Sequence, residues 1–163
     1  MILGMSTASF TSLHVILSLI GIVAGLVMLF GMFAARKLER WTLLFLVTTM
    51  LTSLTGFLFP FDSAHLTPGF KVGVISVVLL IVAIVALYVR HLVGRWRWIY
   101  VVTAVMALYL NVFVLIVQCF EKIPALHALA PTQKEPPFAI AQLVALVLFV
   151  FFGVRAVKRF RPD

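Results

Sequence analysis

Cysteine, acid and long polar stretches are what this sequence has least of. Cys119 is the one cysteine, which excludes an internal disulfide and any CxxC chemistry. Only five carboxylates stand among 163 residues, and charged side chains make up 11% of the chain. Nowhere is there a polar stretch long enough to form a soluble domain. No Gly-rich phosphate loop, nucleophile elbow or HExxH zinc signature is present. Proline is missing from the interior of every long apolar run. Pro60, Pro68, Pro124, Pro131, Pro136 and Pro137 fall in two connecting segments, so no run is expected to be kinked by proline.

What remains is apolar. Hydrophobic residues are 64% of the chain and the mean hydropathy is +1.20. A soluble domain of this size leaves too much of its chain wet to hide that much apolar surface, so lipid must be its solvent. The net charge of +8 does not point to nucleic acid, because the cations sit in short loops at the ends of apolar runs and form no basic helix.

A membrane-crossing helix needs about 20 mostly apolar residues. Five such spans are expected, at about 10–34, 41–59, 70–89, 98–120 and 138–157, as one all-helical transmembrane domain covering 1–163. Residues 1–9 carry no charged side chain, and the first run is followed by Arg36 and Lys37. It is too long for a secretory signal and reads as an anchor. Arg36, Lys37, Arg40, Arg90, Arg95, Arg97, Arg155, Lys158, Arg159 and Arg161 fall on one side of the five spans, and Lys71, Lys122 and Lys134 on the other. The positive-inside rule then places the C-terminus in the cytoplasm and the N-terminus outside, in a multi-pass protein of the cell (inner or plasma) membrane. Trp41, Trp96 and Trp98 all lie at the cytoplasmic interface, where indole rings anchor well.

Polar residues inside the spans should turn towards neighbouring helices, because hydrocarbon offers them no partner. Thr11, His14, Ser18, Gly21, Gly25, Met28 and Met32 recur at spacings of three and four, so His14 points where the glycines point. Gly21 and Gly25 form a GxxxG pair suited to close helix approach, inside the chain or across a homodimer, and Gly73 is a third packing glycine. Thr48, Thr49, Thr52, Ser53, Thr55 and Gly56 gather on one arc of the second span. Each hydroxyl alone is most simply bonded back to the preceding turn.

Sorted by depth, His14, Ser18, Ser53, Thr55, Ser76, Gln118 and Gln142 fall in the outer half and Asn111 near the middle. The inner half is almost wholly apolar, with Thr42 and Thr103 as exceptions. The expected interior is polar beneath the outer face and dry below it. The candidate ligand-binding residues are His14, Ser18, Thr52, Ser53, Asn111, Gln118 and Gln142, roofed by Asp62, His65, Glu121 and His127. A bis-histidine haem b site needs two inward histidines on facing helices at matching depth. His14 has no such partner within a span, and His91 lies across the membrane, which argues against haem b. The missing ligand spacing argues against a metal ion. An inner half almost without polar residues, and spans without internal proline, argue against a channel or transporter.

The leading expectation is a non-catalytic binding or accessory protein whose outer pocket holds a small amphipathic molecule such as a lipid, a quinone or an isoprenoid. A second reading is an enzyme at the outer surface, with His14 or His65 as base or metal ligand and Asp62 or Glu121 as its partner. A third is a structural subunit of a larger membrane complex. The topology has a direct test. In a Cys119→Ala background, Lys37→Cys and Lys158→Cys should react with a membrane-impermeant maleimide only in lysed cells, and His127→Cys in intact ones. Labelling of all three from one side would overturn the five-span reading.

Overall fold

A computed structural model describes residues 2, 4–59 and 68–161, so Asp62 and His65 lie outside the described residues. The first helix, α1 (Thr7–Phe33), starts where the Ser6 hydroxyl accepts the Ser9 N–H at 3.1 Å, a side-chain cap for an otherwise unpaired donor. It ends where the Gly31 carbonyl accepts the N–H of Arg36 at 2.9 Å and Ala35 turns left-handed, with φ 53°. Gly31 allows this reversal: a Cβ there would stand 2.7 Å from the Leu38 side chain.

The chain then runs back as α2 (Glu39–Gly56). Next, α3 (Pro68–Ile84) passes without a break into a π turn (Val85–Val89), in which Arg90 N–H bonds five residues back to the Val85 carbonyl at 2.9 Å. The central helix is α4 (Trp96–Lys122), followed by a short α5 (Pro124–Leu129) and by α6 (Pro136–Arg159). Pro68, Pro124 and Pro136 thus open helices, at the position where a missing N–H costs nothing.

Side-chain contacts fix the alternation of the five long helices. His14, early in α1, bonds Thr55, late in α2. Phe57, just after α2, lies against Gly73, early in α3. Arg97, early in α4, donates to the carbonyls of Val157 and Phe160 at the end of α6, at 2.9 and 2.5 Å. A guanidinium there satisfies carbonyls that the helix itself leaves open. Arg155 stacks over Phe33, 5.6 Å from the ring centre, which puts the last turns of α1 and α6 at the same end. Arg36, Lys37, Arg40, Arg90, Arg95, Arg97, Arg155 and Lys158 therefore share one end of the bundle, the cationic end.

The apolar core lies towards that end. Ala24, Met28, Leu29 and Met32 of α1 meet Phe45 and Leu46 of α2, Leu80 and Ala83 of α3, and Tyr100, Ala104 and Leu108 of α4, all nearly or wholly buried. The half of the bundle next to the cations is therefore dry. Outward faces stay apolar too: Ile140, Leu143, Val147, Val150 and Phe151 of α6 are all exposed. A continuous face of that kind suits lipid and not water.

Among the described residues, four helices are long and apolar enough to cross a membrane: α1, α3 with its π turn, α4 and α6. The predicted second span differs from them. Its 18 residues begin with Glu39 and Arg40 and carry five threonines and a serine, so it is shorter and more polar than the rest. The homodimer seam expected at Gly21 and Gly25 also has no free surface. A Cβ on Gly25 would meet Leu108 at 2.5 Å and Phe45 at 2.8 Å, and one on Gly21 would meet Thr49 at 2.9 Å, all of the same chain.

Gly25→Ala should therefore destabilise the bundle by about 1–3 kcal/mol through overpacking. Gly153→Ala, whose new methyl would sit at an ordinary 3.6 Å from Val105, should be neutral. Thermal unfolding in detergent reads both; equal effects would remove the packing role of Gly25.

Candidate functional site

The polar residues of the half away from the cations form small pairs on different helix contacts. The Thr55 hydroxyl donates its one hydrogen to the Leu51 carbonyl at 2.7 Å. With that hydrogen taken, the same oxygen accepts from His14 Nδ1, 2.8 Å away, when the ring carries a hydrogen on that nitrogen. The Phe59 ring stands edge-on to the imidazole with centres 5.3 Å apart. His14 is thus half-buried between α1 and the end of α2, with a partner of its own.

Deeper in the bundle, Asn111 Nδ2 donates to Thr49 Oγ1 at 3.2 Å, in a buried node that also holds Gly21 and Thr48. Thr52 and Ser53 are buried as well, and each donates to its own helix, to the Thr48 and Thr49 carbonyls at 2.8 and 3.0 Å. The arc of hydroxyls therefore faces neighbouring helices while its hydrogens are taken by the preceding turn. Ser18 sits half-buried on α1.

The remaining candidates belong to α4 and its surroundings. Gln142 donates to the Phe113 carbonyl at 3.2 Å, and its buried Oε1 has no partner among the described residues. Gln118 donates to Glu121 within α4 at 3.3 Å. His127 lies against the Phe120 carbonyl, Nδ1 to oxygen 3.3 Å, and is exposed, as is Glu121. Nearby, Glu135 accepts from Thr132 Oγ1 at 2.8 Å and from the Lys134 N–H at 3.0 Å. Slight desolvation raises its pKa, but these hydrogen bonds outweigh it and hold the carboxyl below its ordinary range. Among the described residues no group of three His, Cys, Asp or Glu side chains comes together as a metal site would need.

A cavity of about 460 Å³ opens at the opposite, cationic end. Met28, Met32, Tyr100 and Phe160 form its inner wall, with the buried Thr42 hydroxyl beside them. Arg36, Lys37, Glu39, Arg40 and His91 stand round its mouth. The walls come from the α1–α2 turn, the π turn, the start of α4 and the end of α6. Backbone strain borders the same opening. Ala35 has φ 53°, His91 φ 47° and Leu92 φ 60°, in the left-handed region that costs a non-glycine residue about 1–2 kcal/mol. Such outliers persist where surrounding structure over-determines them, often at ligand sites.

A second hollow of about 310 Å³ adjoins the first and shares Leu43 and Tyr88 with it. Its other walls are Leu46, Val47, Met50 and Leu51 of α2 and Ile84 of α3, so it is an apolar groove on the flank of the bundle. The π turn carries Leu87 and Tyr88, which places Tyr88 at the junction of the two spaces. Arg36, Lys37 and Arg40 stand out in the sequence as a cluster of cations, but their spacing does not signal a cavity. Thr42 is a lone hydroxyl among apolar neighbours at the same end.

The buried node is open to a double-mutant cycle. Asn111→Leu with Thr49→Val should show a coupling of about 0.5–1.7 kcal/mol in unfolding from detergent micelles, the range for interhelical hydrogen bonds in membranes. Additive effects would mean that the pair does not hold α2 to α4. The chain matches no protein-family model, no curated protein and no solved structure, so the reading of its function rests on its own residues.

Proposed function

We propose that this protein is a five-span, non-catalytic binding protein of the cell membrane, N-terminus outside and C-terminus in the cytoplasm, which holds a small amphipathic molecule at its cationic end. The observation that carries the reading is the continuity of the two hollows. A charged mouth leads to a cavity of about 460 Å³, and that cavity adjoins an apolar groove of about 310 Å³ on the lipid-facing flank. Together they match the volume range of small-molecule sites and offer one polar and one apolar compartment.

Several features support α2 as the fifth crossing. Its 18 residues rise about 27 Å, close to the thickness of a hydrocarbon core. It starts among the cations and ends beside His14 and Gly73. Its hydroxyls are bonded within the protein, as a helix in lipid requires. Ten cations at one end and a dry core above them favour the cytoplasmic assignment of that end.

The polar groups of the outer half favour a packing role over a ligand role, because His14, Asn111 and Gln142 each bond to protein atoms. The groove supplies the test. Native mass spectrometry of the protein released from mild detergent should show a retained amphiphile at about one per chain. Val47→Trp, which fills the exposed groove without touching the core, should remove it. Wild-type protein that flies without any adduct, or a Trp variant that keeps its adduct, would overturn the reading.

A further inference from the structure

The chemistry of the mouth specifies the polar end of the ligand. We infer that the cationic-end cavity binds a phosphate-bearing head group, with the attached acyl chain lying along the α2–α3 groove. This inference rests on the binding reading above and adds the ligand class.

Three permanent cations, Arg36, Lys37 and Arg40, line the cavity against a single carboxylate, Glu39. Among the described residues none of the three is held in an ion pair. The positive charge at the mouth is therefore not neutralised by the protein. Two of the three are guanidiniums, whose planar forks match the paired oxygens of phosphate. His91 and Tyr88 add further donors on the opposite wall. A carboxylate is satisfied by one guanidinium; a phosphate has oxygens enough for donors from both walls of this opening.

The source of the phosphate follows from what lies beside it. The groove that adjoins the cavity is lined only by Leu43, Leu46, Val47, Met50, Leu51, Ile84 and Tyr88, and it opens on the flank. A soluble phosphate ester has no use for such a wall, whereas a lipid needs one for its chain. Basic residues at the cytoplasmic face also meet the leaflet in which anionic lipids concentrate. The left-handed corners at Ala35 and His91 lie on the two loops that flank the mouth, so the geometry of the cations is set by constrained turns and not by long free loops.

The test uses the full chain, delipidated in a neutral maltoside and titrated separately with dioleoyl phosphatidic acid, dioleoylglycerol and oleate, with retention read by native mass spectrometry. Phosphatidic acid should be retained most tightly. The Arg36→Gln, Arg40→Gln double variant should weaken it about thirty-fold, since each basic residue near a membrane surface counts for about a five-fold factor. Arg95→Gln with Lys158→Gln, at the same end but outside the cavity, should weaken it only a few-fold. Equal losses in the two pairs would replace the site by diffuse attraction and overturn the inference. Dioleoylglycerol or oleate retained as well as phosphatidic acid would overturn the phosphate assignment and leave the binding reading standing. Retention of none of the three would remove the binding reading itself. Displacement of the lipid by millimolar glycerol 3-phosphate would support a phosphate site open to soluble esters, and no displacement supports the lipid as the source. If the double variant does not fold, Arg36→Gln and Arg40→Gln singly, each expected to weaken retention about five-fold, carry the same decision.

Discussion

Gly25 has no side chain because there is no room for one. Phe45 of α2 and Leu108 of α4 fill the space on its face, and a methyl would overlap both. In lipid there is no hydrophobic force to press helices together, so association depends on how closely their surfaces approach. The contact at Gly25, with Gly21 one turn before it, brings α1, α2 and α4 against one another. Other features follow from that approach. Thr49 reaches Asn111 across the gap left at Gly21. The Ala104 and Ala107 positions of α4 become fully buried, and α4 can take α3 and α6 on its other sides.

The closeness of these three helices also divides the bundle into two ends with different tasks. Away from the cations the chain uses its polar atoms on itself: imidazole to threonine, amide to threonine, amide to backbone carbonyl. These contacts are short in reach and each belongs to a different pair of helices. At the cationic end the side chains are longer and point into solvent, and the turns that carry them do not close over the core. Tyr100, nearly wholly buried with its hydroxyl 3.5 Å from the Met28 sulfur, is the floor where the packed interior stops. The open volume begins directly above it.

Much of this architecture is legible in the sequence because lipid imposes simple rules. Apolar runs of about 20 residues give the long helices, and the skew of Arg and Lys gives their shared end. The i, i+4 spacing of Gly21 and Gly25 correctly marks a close approach, but spacing alone does not distinguish a neighbour within the chain from a second copy. The hydroxyls of the second run were legible as a polar arc. That they bond to their own helix is a matter of rotamers, which composition does not reveal. The cavity was the least legible part. It lies among the ends of α1, α2, the π turn, α4 and α6, and its mouth is bordered by turns such as the left-handed backbone at Ala35 and His91. Neither residue is a glycine, so no letter in the sequence flags the turn. Asp62 and His65 of the expected roof fall outside the described residues, while Glu121 and His127 sit exposed at the end away from the cations.

The π turn at Val85–Val89 has a further consequence for how this helix can vary. A turn of that kind accommodates one residue more than an α-helical turn, so everything after it is rotated by about 100° relative to an uninterrupted helix. Tyr88 and His91 owe their compass bearing to that phase shift. Removing a single residue from the segment would leave length, greasiness and orientation almost unchanged, yet it would swing the aromatic ring away from the junction. Two chains alike by every bulk measure could thus differ in whether the doorway exists.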